Sequence, residues 1–136
     1  MAMPSPGVRP HLILSDTEAF IAFAVAGLGA KEVHERVRMP GDPRIIHAEV
    51  EIGGTLVYLC DDFPEHNGGA SRHPKALGGV PMLLHQCVAN CDEAMARAVA
   101  AGARVVMPAG DQFWGDRYGI VEDPFGYQWS FSHRLG

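Results

Sequence analysis

MLLHQCVANCDEAMARAVAAG, residues 82–102, reads as a strand, a capped helix and a glycine stop, and the same order occurs earlier in the chain. The earlier copy is RPHLILSDTEAFIAFAVAGLG, residues 9–29. At an offset of 74, His11 matches His85, Asp16 matches Asn90, Ile21 matches Met95, Ala22 matches Ala96 and Val25 matches Val99. Asp16 and Asn90 have the short acceptor side chains that favour a helix N-cap, and Gly29 and Gly102 stop the two helices, one residue out of step. Similarity at a fixed period indicates two copies of one supersecondary unit.

The residues around each copy complete that unit. Lys31–Met39 sets Val33, Glu35, Val37 and Met39 against His34, Arg36 and Arg38, the alternation of a strand, and Pro40-Gly41-Asp42-Pro43 turns the chain. Ile45–Ile52 places Ile46, Ala48, Val50 and Ile52 on one face and His47, Glu49 and Glu51 on the other. Gly53-Gly54 makes a hairpin into a returning strand, Thr55–Asp61. In the second half the strands are Met82–Val88, Arg104–Met107, Arg117–Glu122 and Tyr127–Ser132, with a loop at Pro108–Gly115 and a turn at Asp123–Gly126.

The expected fold is therefore α+β: one domain over residues 1–136, with a first βαβββ module at 9–61, a Gly/Pro/His-rich linker at 62–80 and a second module at 81–133. One helix covers one face of a four-stranded sheet and leaves the other face to be buried or used. Two such modules, paired side by side, give curled mixed sheets around a concave cavity, into which His11 and His85 both point.

Charge and cysteine use exclude several classes. A net charge of −5 with scattered arginines provides no basic stripe for nucleic acid. The longest apolar run, Phe20–Leu28, is far shorter than a bilayer span, and the Pro-rich start has no apolar core of a secretion signal, so no membrane partner is expected. Three cysteines, Cys60, Cys87 and Cys91, make neither an even disulfide set nor a CxxC pair and suit a reducing, cytoplasmic setting. None of them has an adjacent base or a helix-start context that argues for a nucleophile, and Cys91, near a helix N-terminus, is the one to test.

The stretch DQFWGDRYG (111–119), followed by EDPFGYQW (122–129), resembles the signature of glyoxalase/bleomycin-resistance proteins of the vicinal oxygen chelate superfamily, in the bacterial branch often described as methyltransferase-like. His47-Ala48-Glu49 before Gly53-Gly54 is similar to the same branch, and the resemblance runs from about Arg9 to His133. It implies paired βαβββ modules, a homodimer and a cavity in which many members hold a divalent metal that polarises the substrate. The positions implied for the metal ligands carry Arg9, Leu59, Leu83 and Ser130, which are not a donor set for a hard divalent ion.

The candidate ligand-binding residues are His11, His47, Glu49, His85, Phe113, Trp114, Arg117, Tyr118 and Ser130. Aromatic rings beside a guanidinium make a clamp for planar or anionic molecules, and small side chains at Ser130 and Ser132 leave room for one. His47, Glu49 and Glu51 either line the concave face or form a solvated one. The expected function is small-molecule binding without the usual metal, holding or sequestering a planar or aromatic ligand such as an antibiotic. The alternative is a metal-dependent lyase, isomerase or dioxygenase with a rearranged set of His11, His47, Glu49 and His85. A third reading is a scaffold whose concave face is filled with apolar side chains.

Overall fold

A computed structural model describes residues 6–136; residues 1–5 of the Pro-rich start lie outside them. The first module consists of β1 (His11–Leu14), α1 (Thr17–Gly27), β2 (Lys31–Arg38), β3 (Ile45–Ile52) and β4 (Thr55–Asp61). A connector follows with one 3-10 turn and a short helix α2 (Pro74–Leu77). The second module repeats the order as β5 (Leu84–Cys87), α3 (Cys91–Ala100), β6 (Arg104–Asp111), β7 (Asp116–Glu122) and β8 (Gln128–Arg134). The strands form two mixed sheets, β1-β4-β3-β2 and β5-β8-β7-β6. In both, the first strand pairs parallel with the last, His11 opposite Tyr58 and His85 opposite Ser130. The fold is the α+β arrangement of two similar modules that the repeat implies, and the sheets are not closed into a barrel.

Both helices start where their caps predict. The Asp16 side chain accepts from the Ala19 N–H, and that of Asn90 accepts from Glu93. Asp61, at the end of β4, accepts from the Thr17 and Ile45 N–H groups at 2.8 and 2.6 Å, tying three elements of module one together. Thr17, Phe20, Ile21, Phe23, Ala24 and Gly27 of α1 and Cys91, Ala94, Met95 and Ala98 of α3 are the helices' buried positions, at helical spacing. The modules share one hydrophobic core. Phe20 of α1 stacks on Trp129 of β8 with centroids 6.4 Å apart. A β-carbon at Gly27 would stand 2.8 Å from that of Ala101, so the absence of a side chain there lets α1 and α3 approach.

The modules also hold each other's edges. The Tyr127 hydroxyl accepts from the Ile13 N–H at 3.0 Å and donates to the Ile13 carbonyl at 2.8 Å, pairing backbone groups on the outer side of β1. In the reciprocal place, Gly53 of the β3–β4 hairpin, at φ 56°, lies against the Gln86 side chain of β5. The helices therefore join the two modules, and each sheet keeps its own strands. The two sheets share a core on their helix sides and stay open, consistent with the curled mixed sheets expected from the repeat.

Element ends differ from the sequence reading in one informative place. β6 continues through Pro108 to Asp111, where Pro108 suggested a loop. Proline is tolerated on an edge strand because no ladder partner needs its missing N–H, and β6 is the edge of its sheet.

Asp123 organises the β7–β8 turn. Its carboxylate accepts from the Phe125 and Tyr127 N–H groups and from the Trp129 indole, at 2.9, 3.0 and 2.9 Å. Three donors favour the ionised form, yet burial dominates and pushes the carboxyl up to about 6. The unfolded chain releases this proton near the ordinary aspartate value of about 3.9, so between about pH 4 and pH 6 the folded state holds a proton the unfolded state has lost. Stability from this group therefore falls as pH rises through that window, by about 3 kcal/mol at most. Urea melts from pH 4 to 7 on the wild type and Asp123→Asn are expected to differ by this slope, which the variant lacks. Tyr127→Phe, which leaves the Ile13 N–H and carbonyl unpaired, is expected to cost about 1–3 kcal/mol in the same assay.

Candidate functional site

Strand parity decides which side chains share the outward faces. On β3, Ala48, Val50 and Ile52 are buried in the core, and His47, Glu49 and Glu51 occupy the opposite face. The two-residue turn at Gly53-Gly54 pairs Ile52 with Thr55 and so sets Glu49 opposite Tyr58, and the parallel ladder sets His11 beside Tyr58. Three rings result: His47 meets Tyr58 edge-on at 4.9 Å, His11 meets Tyr58 at 6.1 Å, and His11 meets His47 at 6.5 Å. The His47 Nε2 lies 3.1 Å from a Glu49 oxygen, and the Glu49 side chain is only 15% exposed although its sheet face is uncovered within the chain. The Arg9 guanidinium lies over the Tyr58 ring, 5.8 Å from its centroid. Burial, and then the charges of His47 and Arg72, hold the His11 imidazole below its ordinary pKa.

The second sheet presents a different surface. Trp129 and Phe131 are buried in the core, and Ser130 and Ser132 face the other way, under His85. The His85 Nδ1 lies 2.7 Å from the Ser130 hydroxyl and its Nε2 lies 2.9 Å from the Ser132 hydroxyl, so both ring nitrogens are engaged. The Tyr118 ring lies nearly parallel to His85, at 12° with centroids 5.8 Å apart. Trp114 stands edge-on to Tyr118 at 5.9 Å, its indole N–H donating to Asp116, and Phe113 packs against Trp114. Phe113 is 97% exposed and Trp114 47%.

Arg117 does not join this row. It follows one residue before Tyr118 in β7 and projects to the opposite face, where it makes a two-pronged pair with Asp92 of α3 at 2.6 and 2.9 Å and bonds Asp111 at 2.8 Å. The expected clamp of ring and guanidinium is thus not assembled. His11 and His85 also part company: each lies on the open face of its own sheet and lines its own depression. Cys91 is buried, its thiol donating to the Phe131 carbonyl, and burial pushes it up, away from the reactive range. Tyr58 was missed in the sequence, although the count across the Gly53-Gly54 turn would have placed it beside Glu49.

The donor chemistry does not suit the divalent metal that the resemblance implies for many members of that family. The corresponding positions hold Arg9, Leu59, Leu83 and Ser130, and Leu59 is wholly buried in the core. Among the described residues no three His, Cys, Asp or Glu side chains converge as a metal site would need. The residues do not fit the group.

The match to known proteins agrees with this architecture. The family model of the Glyoxalase/Bleomycin resistance protein/Dioxygenase superfamily matches residues 8–131. The chain belongs to this superfamily. Among superfamily relatives, uncharacterized proteins of Mycobacterium bovis and Mycobacterium tuberculosis are each 45% identical over 126 residues, covering 92% of this chain and 81% and 72% of their own lengths. TioX from Micromonospora sp. ML1 superposes with a TM-score of 0.66 at 26% identity, covering 93% of this chain and 94% of its own. A superfamily protein from Burkholderia phytofirmans PsJN superposes with a TM-score of 0.73 at 20% identity, over 92% and 95% of the two chains, a likeness of fold. No helix among the described residues is long and apolar enough to cross a membrane.

The electrostatics of the first sheet can be read directly. In a proton NMR titration, His11 is expected to titrate below the ordinary imidazole value. In Arg72→Met its midpoint should move upward without reaching that value, because burial, the largest cause, persists. A wild-type His11 midpoint at or above the ordinary value contradicts the geometry.

Proposed function

We propose that this chain is a metal-independent small-molecule-binding protein that acts as a homodimer and holds a planar or aromatic ligand, such as an antibiotic. The reading rests above all on His85. With Ser130 and Ser132 on its two nitrogens, it offers a ring face in place of a lone pair, and that face runs nearly parallel to Tyr118 with Trp114 beside it. Flat aromatic surfaces attract flat ligands through dispersion and quadrupole contacts, and they need no charge at the site. Dimerisation is supported by the two sheet faces that the chain leaves uncovered and by the exposed rings of Phe113 and Trp114 at the margin of one of them. A partner's sheet over these faces would turn a shelf into an enclosed pocket.

Purified protein in EDTA should be melted with doxorubicin and with bleomycin, two antibiotics carrying planar ring systems. Binding of either at a hundredfold excess over Kd stabilises the folded state by about 2.7 kcal/mol and raises Tm by several degrees. The shift, and the accompanying change in tryptophan fluorescence, should vanish in the Tyr118→Ala Trp114→Ala double variant, and sedimentation should report a dimer. A stoichiometric divalent ion in the purified protein, with isomerisation of the methylglyoxal–glutathione hemithioacetal lost on chelation, would instead establish the metal-dependent alternative built from His11, His47, Glu49 and His85.

A further inference from the structure

A depression at the seam where the approach to β1 meets the connector does not include the His85 row. It has a volume of about 580 Å³, within the range of small-molecule sites. Among the described residues, the polar side chains that line it besides Tyr127 are basic, Arg9, His11 and Arg72, with no aspartate or glutamate, in a chain whose net charge is −5. The remaining wall is largely apolar, with Leu77, Val80 and Met82 from the connector and the ring of Tyr127. Tyr127 has its hydroxyl committed to Ile13, so it contributes a ring wall and no polar tip.

Three features separate this pocket from the other charged clusters. The acidic depression at Asp16, Asp61 and Asp62 is tied up internally, since each carboxylate accepts backbone N–H bonds. Arg36, Arg44 and Arg117 are each held by two carboxylates. Arg72 differs: its backbone N–H bonds Asp62, but among the described residues no carboxylate pairs with its guanidinium. Beside it, Leu77 is 63% exposed and Met82 49%, so apolar side chains are left uncovered next to a cation.

We propose that this pocket binds an amphiphilic organic anion, with its carboxylate held by Arg72 and its apolar tail laid against Leu77, Val80 and Met82. A guanidinium meets a carboxylate with two parallel N–H bonds, the strongest polar contact available here. The apolar wall then supplies the affinity that an exposed ion pair alone lacks. The site is independent of the aromatic shelf on the second sheet, and one protein can carry both.

Decanoate, below its micellar range, is the probe, with 1-decanol and decyltrimethylammonium as the neutral and cationic comparisons. Calorimetric titration of the full chain should show saturable binding of one decanoate per chain. Decanol should bind about tenfold more weakly and the cation not measurably, a factor consistent with one lost charge-assisted bond. Arg72→Met should weaken decanoate about tenfold, and Leu77→Asp, which puts a like charge at the exposed wall, should abolish it. Arg104→Met, a change to an arginine paired with Glu122 elsewhere, should leave it unchanged. Absence of saturable binding, equal affinity for decanol, or indifference to Arg72→Met overturns the proposal. So does a change of sedimentation in Arg72→Met without loss of folding, which would make the pocket an interface between copies. The Tyr118→Ala Trp114→Ala variant must retain decanoate binding, so failure of this site and failure of the aromatic shelf are read separately.

Discussion

The approach of α1 to α3 at Gly27 and Ala101 sets the shape of the molecule. With a potential β-carbon at Gly27 only 2.8 Å from that of Ala101, the helices pack at the distance only a glycine allows, and the helix-side faces of both sheets are drawn into one core. Phe20 on Trp129 is the side-chain counterpart of this contact, since it carries the helix of one module onto the sheet of the other. Once both helix-side faces are spent on that core, both opposite faces remain outward. The polar and aromatic side chains of those faces, and every functional reading of them, follow from that division.

Much of this was legible because local signals agreed with the global fold. The alternation in Ile45–Ile52 assigned His47 and Glu49 to the outward face without any knowledge of the partner strand. The caps at Asp16 and Asn90 located both helix starts. Arg117 shows a conflict that was already present in the sequence. It and Tyr118 both fall in the strand expected at Arg117–Glu122, and adjacent residues of a strand face opposite ways, so the two could not share one clamp. The separation of His11 from His85, by contrast, was out of reach. Matched positions in a repeat fix each residue's relation to its own sheet, whereas the relation between sheets depends on long-range packing such as the Gly27 contact.

The two outward faces are chemically unlike despite their common origin in the repeat. Opposite His11 stands Tyr58, a ring that packs edge-on with two histidines, one of them held below its ordinary pKa. Opposite His85 stands Ser130, small enough to let the imidazole settle onto the sheet and be held at both nitrogens. A single exchange of a large for a small residue at equivalent ladder positions thus distinguishes a crowded, basic surface from a flat, neutral one.

The edges of the sheets carry a consequence of their own. β2 and β6, the outer strands, are both irregular: β2 slips register around His34, whose φ is 62°, and β6 slips on either side of Met107 and contains Pro108. At the other two margins, the Tyr127 hydroxyl pairs the Ile13 backbone groups of β1, and the hairpin at Gly53 lies against the Gln86 side chain of β5. A regular run of free N–H and carbonyl groups is what lets one sheet grow by adding a strand from another molecule, and broken or capped margins suppress it. These margins disfavour growth by backbone ladders, and a contact made instead through side chains on the sheet surfaces is discriminating in a way that strand addition is not.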